Sequence, residues 1–204
     1  MKVTGILLAG GKSSRMGQNK ALLSFSDRKT VEKIASELQE ATDEVLLVTN
    51  TFSDYKFLRL KMVEDEYKEK GPLAGIHAGL QAAENEYCFV AACDMPFIQG
   101  ELIREIVSYL NEYDAVVPNI RGQLHPLFAA YRRSCLESIE ACIKNNDLRI
   151  RSFHSKVSTK IMKEEDFSTD VRNSSAFLYN FFNMNLPQEY EEAIEIHKIF
   201  QNLD

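Results

Sequence analysis

The sequence predicts an α/β fold with three layers, in which helices cover both faces of a mostly parallel central sheet. Short apolar runs alternate with segments whose apolar residues recur at helical spacing, a pattern typical of strands that alternate with amphipathic helices. The chain has 204 residues, of which 45% are hydrophobic and 26% charged. This length and composition favour one globular domain of ordinary size.

The first half of the chain contains the clearest elements. A buried strand is predicted at residues 3–9, and further strands at 44–49, around 62–63, and at 87–92. A helix with Val31, Ile34, Ala35 and Leu38 on its apolar side follows the first strand. Gly71 and Pro72 indicate a turn before a second helix, whose apolar side carries Leu73, Ile76, His77, Leu80 and Ala83.

The second half is less regular. It contains a predicted helix over 102–110, strands at 114–118 and 126–130, and a helix bearing Leu136, Ile139 and Ile143. A terminal helix, which Asn185 or Leu186 leads into, has Pro187 in its first turn.

Charge and hydropathy exclude several classes of protein. A formal net charge of −6 argues against sequence-independent nucleic-acid binding, which needs a basic face. Gly10, Gly11 and Lys12 end the first apolar run before it is long enough for a signal peptide, and no later run is long enough to cross a bilayer. The four cysteines lack the spacing of a zinc site. We therefore expect a cytoplasmic protein without membrane or nucleic-acid partners.

The most informative segment is a glycine-rich loop directly after the first strand, L-A-G-G-K-S-S-R-M-G-Q-N-K at residues 8–20. Glycines let successive backbone N–H groups approach anionic oxygens, and Arg15 and Lys20 can neutralise a triphosphate. The segment matches neither the dinucleotide pattern G-x-G-x-x-G nor the P-loop pattern. A surface turn with solvated charges is the alternative.

This segment closely resembles the signature of the molybdenum cofactor guanylyltransferases, the MobA-like branch of the nucleotidyltransferases. Further motifs follow in that family's order, namely V-E-D at 63–65, G-P-L-A-G at 71–75, C-D-M-P at 93–96, H-P-L-F-A at 125–129 and F-N-M-N-L-P at 182–187. The resemblance implies a Rossmann-like fold of the nucleotide-diphospho-sugar transferase type. It also implies one domain over residues 1–204, with a nucleotide-binding N-terminal half and an acceptor-binding C-terminal half.

Asp94 follows the strand at 87–92, at the sheet edge where open α/β sheets bind ligands. Mg²⁺ prefers one or two carboxylates together with phosphate oxygens, and the resemblance makes Asp94 its ligand. The alternative is a turn carboxylate that caps Met95 or Phe97.

The resemblance also implies a set of nucleotide contacts: Leu8, Ala9, Gly10, Gly11, Lys20, Asn50, Asp65 and Asp94. Taken alone, Asp65 is one acid in a run of solvated charges, and the surroundings of Asn50 do not fix its register. Asn183 and Asn185 lie where the family places its pterin acceptor, although they also suit a loop that starts a helix. His125, Arg149 and Arg151 have no assigned role.

The activity implied is transfer of GMP from GTP to molybdenum-loaded molybdopterin, with Mg²⁺ as cofactor and Arg15, Lys20 and Asp94 as catalytic residues. Molybdenum cofactor biosynthesis proteins and molybdoenzymes are the implied protein partners. The alternatives are cytidylyl transfer, nucleotide transfer to a sugar phosphate, and a noncatalytic nucleotide-binding adaptor. The sequence departs from the family at Asn19 and Ala21, where an aspartate and a glycine often flank the lysine, and this leaves acceptor specificity open.

Overall fold

One eight-stranded sheet forms the centre of the protein. The computed structural model describes residues 1–10, 20–25 and 28–201, with the backbone alone for Lys20 and Gln201. In these ranges the strands are β1 (Val3–Leu8), β2 (Ser24–Phe25), β3 (Arg28–Lys29), β4 (Glu44–Val48), β5 (Lys61–Val63), β6 (Tyr87–Ala92), β7 (Ala115–Ile120), β8 (Gln123–Leu124), β9 (Phe128–Arg132) and β10 (Thr159–Lys163).

The order across the sheet is β10-β7-β9-β6-β1-β4-β5, with β8 paired to β7 and β2–β3 forming a separate hairpin. Neighbouring strands are parallel except where β9 lies antiparallel between β7 and β6 and where β8 turns back on β7. The prediction of a mostly parallel sheet is therefore confirmed. Because β9 is antiparallel to both neighbours, β7 and β6 point the same way, and their carboxyl ends share one edge of the sheet.

Helices cover both faces of this sheet. In the described part of the chain they are α1 (Thr30–Ala41), α2 (Pro72–Ala82), α3 (Gly100–Ser108), α4 (Leu136–Lys144), α5 (Ile150–His154), α6 (Thr169–Asn173) and α7 (Pro187–Gln201). The apolar sides of α1 and α3 pack in one core cluster, and those of α2 and α4 in another. Successive residues of β1 alternate between them, since Leu7 lies in the first cluster and Ile6 and Leu8 in the second. This arrangement is the predicted three-layer sandwich.

Helix α2 lies unusually close to β1. A Cβ atom added to Gly79 would lie 2.4 Å from Cγ2 of Ile6, well inside van der Waals contact. Glycine therefore permits the helix to approach the strand this closely, beside Ile6 and two residues before the end of β1.

Helix α7 and the β2–β3 hairpin share a small third cluster with Phe97, outside the two faces of the sheet. Phe25 of the hairpin packs edge-on against Phe97, with ring centroids 5.4 Å apart. The hydroxyl of Tyr190 in α7 donates a hydrogen bond to the carbonyl of Ser24 at 2.6 Å. The hairpin that follows the glycine-rich loop is thereby fixed to the C-terminal helix.

The predicted elements are present, with shifted boundaries in the second half. Strand β7 continues two residues past Pro118, and a turn at Arg121 and Gly122, both with positive φ, leads into the short strand β8. Strand β9 starts at Phe128 because the preceding residues form a turn, in which the N–H of Phe128 bonds to the carbonyl of His125. Across the described ranges, no helix combines the length and apolar character that spanning a membrane requires.

Candidate active site

The carboxyl ends of four parallel strands lie in register along one edge of the sheet. Three backbone hydrogen bonds continue the ladder past the strand ends, from Cys93 N–H to Leu8 O at 3.1 Å, from Ala9 N–H to Val48 O at 2.9 Å and from Thr49 N–H to Val63 O at 3.0 Å. The residues that come next, among them Gly10, Asn50, Asp65 and Asp94, therefore emerge at one edge. This is where ligands bind in open α/β sheets.

Asp94 lies in the turn after β6, and its side chain is partly buried, with the Oδ1 atom withdrawn from solvent. Its backbone carbonyl accepts a hydrogen bond from the N–H of Met184 at 2.9 Å. Met95 and Phe97, which follow it, are buried in the core. The carboxylate thus lies at the ligand edge, on a turn that is anchored by two buried side chains and by a backbone hydrogen bond from the C-terminal segment.

Asn50 and Asp65, which are 15 residues apart, meet directly. The side-chain oxygen of Asn50 accepts a hydrogen bond from the backbone N–H of Asp65 at 3.1 Å, and Oδ1 of Asp65 accepts one from the N–H of Tyr67 at 2.8 Å. Burial of the Asp65 carboxyl raises its pKa, which the Tyr67 N–H opposes. The structure therefore brings together two of the predicted nucleotide contacts and orients the carboxylate of one of them.

The glycine-rich segment is described only at its two ends. Leu8 and Ala9 are buried at the end of β1, and Gly10 is exposed beyond them. Lys20 begins a short 3-10 turn that ends at Leu22. Gly11 and Arg15 lie outside the described residues, and so does the side chain of Lys20.

The G-P-L-A-G motif forms the start of α2. Gly71 has a φ of 71°, in the left-handed region that favours glycine, and Pro72 opens the helix. A Cβ atom on Gly75 would make ordinary contact with the side chain of Leu8, at 3.4 Å. This motif therefore lies against the end of β1, beside the predicted nucleotide contacts.

The H-P-L-F-A motif lies on the other side of Asp94. The carbonyl of Leu127 accepts a hydrogen bond from Ala92 N–H at 2.9 Å, at the end of β6. His125 is buried against the ring of Phe181, with centroids 4.9 Å apart. Burial lowers the pKa of His125 to about 4, so this histidine is neutral at physiological pH. It supports the turn as a packed, uncharged side chain.

The two C-terminal asparagines reach the site by their backbone. Between them, Met184 bonds to the carbonyl of Asp94, while the side-chain amide of Asn183 donates to the carbonyl of Phe181 at 3.0 Å. The carboxylate of Glu189 accepts hydrogen bonds from the backbone N–H groups of Asn185 and Leu186. Glu189 therefore caps the start of α7.

The two arginines left without a role lie around the start of α5. Both are exposed, and Arg149 forms an ion pair with Asp147 at 3.1 Å. Among the residues that the structure describes, no hydrogen bond or ion pair joins either arginine to Asp94 or Asp65.

The match to known proteins agrees with this geometry. The model of the MobA-like NTP transferase domain matches residues 5–160, which include most of β1, all of β2 to β9 and the turns that carry Asp65 and Asp94. The chain belongs to the MobA-like NTP transferase family. A Clostridium perfringens (strain 13) protein named probable molybdenum cofactor guanylyltransferase is 35% identical over 200 residues, covering 98% of this chain and 100% of that protein. The molybdenum cofactor guanylyltransferase of Desulfosudis oleivorans is 34% identical over 193 residues, covering 94% of each chain.

A solved member has the same architecture. The crystal structure of molybdopterin-guanine dinucleotide biosynthesis protein A from Archaeoglobus fulgidus superposes with a TM-score of 0.81 at 25% identity, covering 96% of this chain and 98% of that one. The predicted Rossmann-like fold of the nucleotide-diphospho-sugar transferase type is thereby confirmed for this MobA-like chain.

Sequence reasoning did not single out Tyr67 or Glu140, which support Asp65 from outside the family motifs. Tyr67 stands in a run of charged residues and Glu140 on a helix 73 residues further along. The one available signal was an aromatic residue two positions after Asp65 in an otherwise polar loop, which alone is too common to indicate a role.

Proposed function

We propose that this protein transfers GMP from GTP to a molybdenum-loaded molybdopterin, forming the guanine dinucleotide cofactor and releasing pyrophosphate. The observation that carries the proposal is the meeting of the Asn50–Asp65 pair, the end of β1 and Asp94 at one sheet edge. A nucleoside on the Asn50–Asp65 side would direct its phosphates along the end of β1 towards Asp94. Membership in the MobA-like family and the names of the relatives support the choice of nucleotide and acceptor.

The transfer needs no protein nucleophile. A terminal phosphate oxygen of the acceptor attacks the α-phosphorus of GTP, the new P–O bond forms, and the bond to the β-phosphate breaks with its electrons leaving on pyrophosphate. We assign to Asn50 and Asp65 the holding of the nucleoside, and to Arg15, Lys20 and the backbone N–H groups of Gly10 and Gly11 the neutralisation of the leaving pyrophosphate. Catalysis then depends on position and charge.

We propose Asp94 as the residue that holds Mg²⁺. The donor set fits this ion: one partly buried carboxylate stands at the ligand edge, and within the described ranges no cluster of three or more His, Cys, Asp or Glu side chains could enclose a metal. Mg²⁺ is commonly held by one or two carboxylates, with phosphate oxygens and water completing its shell. When bound, the ion would neutralise charge on the phosphates. Asp94 itself would fix where those phosphates lie relative to β6.

We assign the whole chain of 204 residues to one domain. We assign the acceptor to its C-terminal half, beside Asn183 and Asn185. The backbone bond from Met184 to Asp94 supports this placement, because it sets both asparagines next to the proposed metal ligand. Delivery of the product to molybdoenzymes and a cytoplasmic location stay predictions from the sequence.

One assay tests the reaction. The purified protein is incubated with Mg²⁺, with either molybdenum-loaded pterin or a sugar phosphate as acceptor, and with each of GTP, CTP, UTP and ATP, and pyrophosphate is measured. We expect release with GTP only, dependent on both the pterin and the metal. Release with CTP would replace guanylyl by cytidylyl transfer, and release with a sugar phosphate but not with the pterin would replace the acceptor. Binding of nucleotide without any release would indicate a noncatalytic adaptor.

Thermal melting provides an independent measurement of base preference. A ligand present at about a hundred times its Kd stabilises the folded state by about 2.7 kcal/mol, which raises Tm by several degrees in a domain of this size. GTP with Mg²⁺ should raise Tm more than the other triphosphates at equal concentration. Since all share the same phosphates, a difference in Tm reports contacts to the base.

A further inference from the structure

We infer that Tyr67 is a positioning residue for nucleotide binding, which holds Asp65 in place by anchoring the loop after β5 to Glu140 on α4. This inference rests on the proposed function, because it takes Asp65 to contact the nucleoside. It extends the nucleotide site to a helix from the second half of the chain, which carries none of the family motifs.

Tyr67 acts on Asp65 through its backbone and on α4 through its side chain. Its N–H donates to Oδ1 of Asp65 at 2.8 Å, and its hydroxyl donates to Oε1 of Glu140 at 2.9 Å. One residue therefore transmits the position of the helix to the carboxylate. Within the described part of the chain, the Asp65 carboxylate accepts its hydrogen bond from Tyr67 at Oδ1. The other oxygen, Oδ2, is thereby left for an N–H or O–H group of the nucleoside.

The negative charge of Glu140 strengthens its hydrogen bond with the Tyr67 hydroxyl. Lys144 lies one turn after Glu140 on α4 and pairs with the same carboxylate oxygen at 2.9 Å. The hydrogen bonds from Lys144 and Tyr67 lower the pKa of Glu140, so the carboxylate stays ionised at neutral pH. Hydrogen bonds to an ionised acceptor are stronger than those between neutral groups.

The ring of Tyr67 has a separate contact. It packs edge-on against the ring of His77, a buried residue of α2, with centroids 5.0 Å apart and planes at 83°. A phenylalanine at position 67 retains this packing and loses only the hydroxyl. The substitution Tyr67→Phe therefore isolates the bond to Glu140 from the packing of the loop.

A second tether keeps the loop close to α4 when the first is removed. Nζ of Lys70 donates to the side-chain oxygen of Asn146, just after α4, at 2.9 Å. This hydrogen bond is exposed to solvent. Loss of the Tyr67 hydroxyl should therefore loosen the orientation of Asp65 without releasing the loop.

The test is direct binding of GTP, measured by calorimetry with Mg²⁺ present, for Tyr67→Phe, Glu140→Ala, their double variant and Asp65→Ala. Glu137→Ala is the matched control, because Glu137 is an exposed acid one turn earlier on the same helix. Removing a hydrogen bond of this kind should raise the Kd for GTP about three- to tenfold in each single variant. The double variant should bind about as weakly as the weaker single variant, and the control as the wild type.

Inorganic tripolyphosphate separates positioning from a general loss of structure. It carries the phosphates without a nucleoside, so its affinity should stay within about twofold of the wild type in Tyr67→Phe if the tyrosine acts through Asp65. Equal weakening of GTP and tripolyphosphate would overturn the inference. So would wild-type GTP affinity in Tyr67→Phe alongside weakened binding in Asp65→Ala, a result that would leave the proposed function intact. Unchanged GTP affinity in Asp65→Ala would instead overturn the role of Asp65 and the inference with it.

Discussion

Replacing Gly79 by alanine tests whether the close approach of α2 to β1 contributes to the stability of the protein and to the activity of the proposed site. The added Cβ would lie 2.4 Å from Cγ2, 3.0 Å from Cδ1 and 3.2 Å from Cγ1 of Ile6. Relief of the closest contact needs a shift of roughly 1 Å, because carbon atoms pack at about 3.5–4.0 Å. Cγ2 branches from the Cβ of a buried strand residue, so the backbones must separate.

The net effect combines two opposing contributions. Overpacking of this kind costs about 1–3 kcal/mol, while alanine in a helix is favoured over glycine by up to about 1 kcal/mol. We expect the free energy of unfolding to fall by about 1–2 kcal/mol, which corresponds to a fall in Tm of roughly 2–8 °C for a chain of this length. Since β1 ends at Leu8, beside the proposed nucleotide contacts, kcat for pyrophosphate release should fall as well, at a temperature where the variant is folded.

Gly75→Ala is the control for stability, because Gly75 lies one turn earlier on the same helix. Its added Cβ would meet Leu8 at 3.4 Å, an ordinary contact, so the helix preference for alanine remains and Tm should stay level or rise. Calorimetric melting of both variants provides the comparison. A Tm for Gly79→Ala equal to or above that of the wild type would refute the packing argument.

Three further outcomes follow from the site and the core. Asp94→Asn should lower Mg²⁺-dependent pyrophosphate release by at least about a hundredfold with a near-normal melting curve, and near-normal turnover would remove Asp94 from the mechanism. Lys20→Ala should lower kcat more than Lys12→Ala, whereas equal losses would indicate a diffuse electrostatic effect. Burial lowers the pKa of His154 from 6.5 to about 4, so the unfolded state binds the extra proton and the free energy of unfolding should fall as pH drops from about 6.5 to 4, by up to about 1.4 kcal/mol per pH unit. His154→Phe should remove this part of the slope in denaturant titrations, and an unchanged slope would contradict the assignment.

Much of the parallel part of the fold was predictable, because buried parallel strands read as continuous apolar runs and their covering helices keep a clear period. Strand β6 was predicted at 87–92 and occupies those residues. Strand β10, with the sequence T-K-I-M-K, was not predicted, because only Met162 is fully buried and its other side chains are partly or wholly exposed. An edge strand of this kind is defined by its pairing with β7, a long-range contact that local pattern does not contain.

The candidate site was predictable where a motif follows a strand, and much less so elsewhere. Asp94 and Asp65 directly follow predicted strands, so their shared edge was implied by the topology. The hydrogen bond between Asn50 and the backbone of Asp65 depends on the register of β4 against β5, which a sequence does not specify. The same limit applies to Tyr67 and Glu140, whose contact depends on how the loop after β5 lies against α4.

The antiparallel strand β9 lies between the two proposed halves of the site. It separates the parallel strands of the proposed nucleotide half from β7 and β10 of the proposed acceptor half, and its preceding turn bonds to the end of β6 through Leu127 and Ala92. Asp94 follows that strand end directly, so it lies at the boundary between the halves. On the same boundary, Met184 ties the C-terminal segment to Asp94, and Tyr190 in the following helix ties it to Ser24, close to Lys20. A shift of the C-terminal segment would therefore disturb two contacts together, that of Met184 with the proposed metal ligand and that of Tyr190 with the β2–β3 hairpin.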